Sequence, residues 1–369
     1  MRVLVACDKF KGSLSAVEAA AAMEAGLRDA GFLGDIDLCP IADGGEGFTE
    51  AMRTALGGEE RSCQAEDPLG RAVTCRYAVV QRAGERIGLL EMAEASGFWR
   101  VGAAERDVLR ASTYGTGEIL RRLAEVDGVA RVLLGLGGSA TNDGGAGMAA
   151  ALGVEFRDAQ GARLDPWPQA LERLAAIEMD RRVELPQVVV ACDVDNPLLG
   201  PRGATAVFGP QKGAGPEEQR RLEAYLQRLV EVSGAGELAR MAGAGAAGGM
   251  GFGLMAFAGA QLVSGFDLVA EAVGLRERVG AADLVLTGEG SLDGQTLCGK
   301  GPAGVARLAA ELGKRVVAYA GVATAEAREA GIFDECHDLA SLRLGMDESM
   351  ARAAELLRAR VAATVRLPG

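Results

Sequence analysis

Histidine is nearly absent: His337 is the only one among 369 residues. A single imidazole near the C-terminus counts against a Ser-His-Asp or Cys-His nucleophile and supplies too few ligands for a multi-histidine metal site. It reads as an ordinary surface residue. Lysine is scarce as well. Only five of the 39 basic residues are lysine, the rest being arginine. Four of the five (Lys9, Lys11, Lys212 and Lys300) sit beside glycine-rich turns, and only Lys314 lies elsewhere. Where arginine supplies generic positive charge, a retained lysine points to a need for its compact ammonium. Glycine turns with a lysine at hand are a common way to cradle phosphate, through free backbone N–H groups and a point charge.

Positive charge is short overall. The net charge of −12 and the 4% aromatic content argue against nucleic acid as a partner, because that needs a basic face and stacking surfaces. Seven cysteines (7, 39, 63, 75, 192, 298 and 336) are odd in number and never in CxxC spacing. That pattern gives neither a zinc site nor a disulfide framework, and it suits a reducing compartment. The N-terminal apolar run in MRVLVACDKF is too short for a signal-peptide core, so a cytoplasmic location is expected. Met241–Val263 carries no charge and is long enough to cross a bilayer. Its seven glycines and many alanines lower its hydrophobicity, so it is expected to be a close-packed loop leading into a buried helix, with no membrane partner. Catalysis is left to carboxylates, lysine, backbone amides and a hard cation.

Apolar runs followed by a glycine turn and a helical pattern recur along the chain. Arg2–Cys7 reads as a buried strand, then Ser15–Ala30 as a helix opened by the capping-box spacing of Ser15 and Glu18 and stopped at Gly31. Asp35–Ile41, Val132–Leu136, Gln187–Cys192, Asp283–Thr287 and Arg315–Tyr319 read as further strands. Ser62–Val80 and Arg86–Ala93 look like strands of a mixed sheet, and Asp158–Gln169 and Ala214–Gln219 like surface excursions. The alternation predicts an α/β protein of two domains. One is a Rossmann-like or flavodoxin-like parallel sheet built from both chain ends (residues 1–60 and 283–369), the other an inserted mixed α/β domain (61–282). Ligands in such folds gather at the carboxyl ends of strands, where these turns fall.

The richest turn is Gly135–Gly147, GLGGSATNDGGAG. Its glycines let backbone N–H groups approach an anion; Ser139, Thr141 and Asn142 can donate to phosphate oxygens, and Asp143 can bind a cation. GLGGSA also fits the G-x-G-x-x-A dinucleotide pattern, and a nicotinamide-dependent oxidoreductase is the rival reading. The polar SATND stands where a Rossmann helix needs apolar packing, which favours a phosphate loop. GEGSLDG offers Glu289 and Asp293, and CDVDNP offers Asp193, Asp195 and Asn196. Magnesium takes one or two carboxylates plus substrate oxygens, and a hydroxyl nucleophile takes a carboxylate base. GQTLCGK nearly matches a Walker A loop, but Gly301 stands where Ser or Thr would hold magnesium, so only Lys300 is kept as a phosphate candidate. Asp8, Lys9 and Asp43 sit at early strand ends and suit a small polar substrate or the nucleotide; Glu91 and Ser96 in EMAEASG are weaker candidates of the same kind. Together these are the parts of a phosphoryl-transfer site.

CDKFKGSLSA, PIADGGEGF, EMAEASG, TYGTGE, GLGGSATNDGGAGM, CDVDNPLLGPRGA, FGPQKGA, GAAGGMGFG and GEGSLDGQTLCGKGPAGVA, in this order along nearly the whole chain, resemble the bacterial-type glycerate kinase family of glyoxylate and sugar-diacid catabolism. The resemblance implies ATP as donor, D-glycerate as acceptor, Mg2+ as cofactor, 2-phosphoglycerate as the usual product and a two-domain α/β fold with its site in the cleft. It implies that Gly137, Gly138, Ser139, Thr141, Asn142 and Gly144 hold the ATP phosphates with Lys300, and that Asp143, Asp193 and Glu289 face the metal. Asp193 or Asp293 would accept the hydroxyl proton. Lys9, Lys212 and Asn196 would orient the glycerate carboxylate and hydroxyls or screen the transferring phosphoryl group, Asp8 and Asp43 would also bind substrate, and Lys9 and Lys300 would count among the catalytic residues. A homo-oligomer is left open.

Overall fold

The computed structural model describes residues 1–42, 44–297 and 301–366. The chain divides into two compact units, one of Met1–Asp43, Glu50–Gly57 and Gly265–Gly369, the other of Gly44–Thr49 and Gly58–Ser264. In chain order the strands are β1 (Arg2–Val5), β2 (Asp35–Leu38), β3 (Glu59–Glu66), β4 (Ala72–Arg82), β5 (Glu85–Glu91), β6 (Arg131–Gly135) and β7 (Glu155–Arg157). They continue with β8 (Ala176–Glu178), β9 (Gln187–Ala191), β10 (Gln261–Val263), β11 (Leu284–Leu292), β12 (Arg315–Ala323) and β13 (Glu335–Asp338).

The first unit holds one sheet in the order β13-β12-β11-β1-β2, parallel throughout. Its central strands are unbroken apolar runs (Val3–Val5, Leu284–Leu286, Val316–Ala318), all buried, as a parallel sheet covered on both faces requires. The helix Ala16–Asp29 starts where the sequence predicts: Ser15 Oγ accepts from Glu18 N and Glu18 Oε2 accepts from Ser15 N, at 3.2 and 2.8 Å. Met23 and Leu27 of that helix join Leu357 and Val361 of the helix Ala353–Thr364 in the core. The two helices touch at Gly26, where a Cβ would stand 2.5 Å from Arg358 O. The helices Gly265–Val273 and Leu275–Ala281 also belong to this unit, so it begins again at 265 rather than at 283.

The second unit holds a mixed sheet, β10-β9-β6-β5-β4-β3, antiparallel from β3 to β5 and parallel from β5 to β10, with β7 and β8 as a separate antiparallel pair. One core cluster joins Leu134 and Val190 of the sheet to Leu120, Leu123, Met148 and Met250; another is built on Phe156, Leu226, Leu229 and Phe252.

One expectation about the insert comes out differently. Ala214–Gln219 is not a surface excursion, because Pro216 opens an 18-residue helix, Pro216–Ser233. Its Leu222, Tyr225, Leu226 and Leu229 are buried at helical spacing. In Met241–Val263 the helix Ala246–Ala258 is interrupted by left-handed residues Ala247, Gly248 and Gly249. Among the described residues no helix is long and apolar enough to cross a membrane.

Candidate functional site

In the second unit, β6 and β9 run side by side with Gly135 opposite Ala191. The loop after β6 and the CDVDNP turn after β9 therefore leave the same edge of the sheet. Gly44 and Gly45, from ADGGEG, pack against this edge. A Cβ at Gly135 would lie 2.6 Å from Gly44 O, one at Gly137 2.5 Å from Gly45 Cα, and one at Gly44 2.4 Å from the Ala191 methyl. The two glycine motifs are thus glycine-rich partly because of each other.

The loop is braced from inside. Asp143 is fully buried, and its carboxylate accepts from Thr113 N (2.7 Å), Thr113 Oγ1 (2.8 Å), Gly145 N (3.1 Å) and Gly147 N (3.1 Å). Burial pushes its carboxyl pKa up from the ordinary value, against the lowering effect of those four donors. Tyr225 donates to the Asp143 carbonyl at 2.5 Å, and Gly144 N donates to Gly248 O at 3.0 Å. Lys212, 2% exposed, donates to Ser139 Oγ at 2.8 Å and to Thr141 O at 2.6 Å. Burial lowers its pKa to about 7, and the Asp143 charge opposes that shift. Asn142 Nδ2 donates to Thr205 Oγ1 at 2.9 Å.

The N–H groups of Gly138, Ser139, Thr141, Asn142 and Asp143 meet no acceptor among the described residues. Thr141 Oγ1 and Asn142 Oδ1 are buried polar atoms equally without a partner there. Ser139, Thr141, Asn142 and Asp143 are buried, and buried main-chain donors are paired in nearly all native structures, so this run suits an anion or water.

In the first unit, pairing of β1 with β11 continues past β1, with Asp8 N donating to Gly288 O and Gly290 N to Lys9 O. Asp8 and Lys9, just past β1, therefore stand alongside Glu289, which lies within β11. Glu289 is held between two glycines that admit no side chain: a Cβ at Gly288 would lie 1.9 Å from Tyr319 O, and one at Gly290 2.9 Å from Lys11 N. Asp8, 5% exposed, accepts from Lys9 N at 2.6 Å, and Lys9 Nζ stands 3.8 Å from Asp8 Oδ1. Glu289 Oε1 accepts from Thr296 Oγ1 at 2.6 Å. Asp293 closes a turn with Thr296, whose N donates to Asp293 Oδ1 at 3.4 Å.

The expected site residues thus fall into two groups. Ser139, Thr141, Asn142 and Lys212 are brought together around one loop, with Asp193 and Asn196 at the neighbouring strand end. Asp8 and Lys9 follow β1, Glu289 lies within β11, and Asp293 follows its end. Asp43 and Lys300 lie outside the described residues.

Several expectations change on physical grounds. Asp143 accepts three of its bonds on Oδ2 and one, from Gly145 N, on Oδ1, so its own loop and Thr113 already engage both oxygens. Lys212 is enclosed and cannot meet a glycerate carboxylate from this position. Asn196 Nδ2 donates to Arg202 O, which ties it to its own turn. The Gly137 amide is spent on Gly44 O and the Gly144 amide on Gly248 O. Among the described residues no group of three His, Cys, Asp or Glu side chains could hold a metal alone. Sequence reasoning missed Thr113, Thr205 and Tyr225. Thr113 begins TYGTGE, the one signal available; nothing marks Thr205 or Tyr225 apart from ordinary helix residues.

Residues 3–368 match the glycerate kinase family. The chain is 42% identical to a glycerate kinase from Halalkalibacterium halodurans, over 96% of this chain and 95% of that protein. It is 42% identical to the glycerate 2-kinase of Escherichia coli, over 88% and 86%. A crystal structure from Salmonella typhimurium LT2, provisionally named glycerate kinase 2, superposes with a TM-score of 0.86 at 41% identity, covering 98% of this chain and 96% of that one. The chain belongs to the glycerate kinase family.

Proposed function

We propose that this protein is an ATP-dependent glycerate kinase that moves the γ-phosphoryl group of ATP to a hydroxyl of D-glycerate, giving ADP and 2-phosphoglycerate. The observation that carries the nucleotide half of this reading is the unpaired amides of Gly138, Ser139, Thr141, Asn142 and Asp143. Such amides answer phosphate oxygens without a reorganisation cost at the moment of transfer. The Escherichia coli relative, named a glycerate 2-kinase, supports the choice of the 2-hydroxyl. A cytoplasmic location goes with a chain that consumes ATP.

In this reading the amides of Gly138, Ser139, Thr141 and Asn142 hold the phosphates, and Lys300 assists. Asp193 takes the hydroxyl proton, with Asp293 as the competing base. Asp8, Lys9 and Asp43 orient glycerate. The residues present fit Mg2+ in one respect: Asp193, just past β9, and Glu289, within β11, are each a hard oxygen donor. The lack of a three-residue cluster among the described residues is no obstacle, since this ion is commonly held by one or two carboxylates plus substrate phosphates. Bound there, it would neutralise phosphate charge.

The test is to mix purified protein with D-glycerate, ATP and Mg2+, follow ADP release, and then treat the product with enolase alone. Glycerate-dependent ADP release followed by phosphoenolpyruvate formation is expected. ADP release without phosphoenolpyruvate would move the phosphate to the 3-hydroxyl. No glycerate-dependent ADP would end the kinase reading.

A further inference from the structure

A fully enclosed lysine is expensive, and Lys212 forms no ion pair among the described residues. A methionine would fill the space without the cost of desolvating an ammonium. The contacts show what the ammonium does instead. It reaches 73 and 71 residues back in the chain, to Ser139 Oγ and Thr141 O, on either side of Ala140. Ala140 N is itself tied to Ser96 O, and Gly138 O accepts from Phe98 N. Four consecutive residues are thus each pinned once from within, and the amides of Gly138, Ser139, Thr141 and Asn142 are left unspent.

We infer that Lys212 is a positioning residue for the nucleotide: its ammonium clamps Ser139 and Thr141 so that the unpaired amides of the loop are held ready for phosphate oxygens. The inference rests on the nucleotide reading of this loop and departs from a direct contact between Lys212 and substrate. Ser139 then acts through Lys212, by accepting its hydrogen bond.

The test compares Lys212→Met, Ser139→Ala and the double variant, reading KM for ATP, KM for glycerate, kcat and the urea unfolding midpoint without nucleotide. Lys212→Met is expected to keep the wild-type midpoint or raise it, while KM for ATP rises about tenfold or more and KM for glycerate moves far less. Ser139→Ala is expected to raise KM for ATP about threefold, and the double variant to be no worse than Lys212→Met alone. A wild-type KM for ATP in Lys212→Met overturns the clamp; so do Ser139 and Lys212 losses that simply add, which would mean that Ser139 meets phosphate by itself. Should Lys212→Met fail to fold, Ser139→Ala and Lys212→Gln, which keeps a donor, carry the comparison, and an unchanged KM for ATP in both overturns it. If the wild type shows no glycerate-dependent ADP release, the kinase reading has failed. Equilibrium dialysis of ATP against wild type and Lys212→Met then judges the clamp separately.

Discussion

Thr113 grips a single oxygen of Asp143 twice, through its backbone N at 2.7 Å and its Oγ1 at 2.8 Å. The same hydroxyl accepts from Met148 N at 2.9 Å, so one side chain joins a buried carboxylate to the helix Ala146–Ala151. Asp143 is thereby a filler of main-chain donors. Thr113→Val keeps the shape and removes both bonds of the hydroxyl. The expected loss is about 2–3 kcal/mol, because one partner is a charged group in a buried setting. Urea unfolding measures it. The Mg2+ concentration giving half-maximal rate should stay where it is in the wild type; a marked shift would return Asp143 to the metal.

Lys212 carries a pH signature in stability. Its folded pKa is depressed to about 7 from the ordinary 10.5, with burial as the cause. Between those values the unfolded chain binds more protons than the folded one, so stability rises with pH across that window and the contribution is lost as pH falls through 7. The buried thiols act in the opposite sense. Cys39 is pushed up to about 11 and Cys75 to about 12, from an ordinary 9.0, so their contribution fades as pH climbs beyond about 9. Unfolding free energy is therefore expected to climb from pH 7 to about 8.5 in the wild type. In Lys212→Met that climb should flatten, and an identical slope in both proteins would contradict the low pKa.

What could be read from the sequence was local. The helix Ala16–Asp29 is legible because Ser15 and Glu18 cap it across three residues, and the β1, β9 and β12 strands because each is an apolar run ending in a turn. The glycine loop after β6 is legible as a turn at a strand end for the same reason. What failed depended on partners far along the chain. Asp143 looks like an open cation ligand until Thr113, 30 residues earlier, bonds its Oδ2 twice. Lys212 looks like a surface phosphate lysine until Ser139 and Thr141 enclose it. The helix Pro216–Ser233 had its signals in Pro216 and in the spacing of Leu222, Tyr225, Leu226 and Leu229, but its charged outer face resembled a loop.

Glu91 was a weak candidate for substrate contact, and its carboxylate turns out to cap a helix. Oε2 accepts from Gly47 N at 3.1 Å and Oε1 from Thr49 N at 2.8 Å, at the start of the helix Phe48–Leu56. A carboxylate there also meets the positive end of the helix dipole. Glu91→Gln keeps one acceptor and turns an NH2 donor toward the other N–H. A loss of about 1–2 kcal/mol is expected. Hydrogen exchange at Gly47 and Thr49 should speed up more than elsewhere in the second unit, and unchanged exchange there would remove the capping role.

Asp193 and Asp293 both stand at strand ends as candidates for the base, but their settings differ. Asp293 is engaged by its own turn, with Thr296 N at 3.4 Å from Oδ1 and Ser291 Oγ at 3.4 Å from Oδ2. A carboxylate that shapes a turn loses structure as well as chemistry when neutralised. Asp193 follows β9 at the edge shared with the amide loop, while its neighbour Asp195 is drawn outward to Arg202 at 2.8 Å. Asp193→Asn is expected to lower kcat by about 10²–10⁴. Asp293→Asn should lower the midpoint and reduce kcat by less. The opposite ranking, with both variants folded, would transfer the proton-accepting role to Asp293, because a group that removes the proton in the transition state costs rate without costing stability.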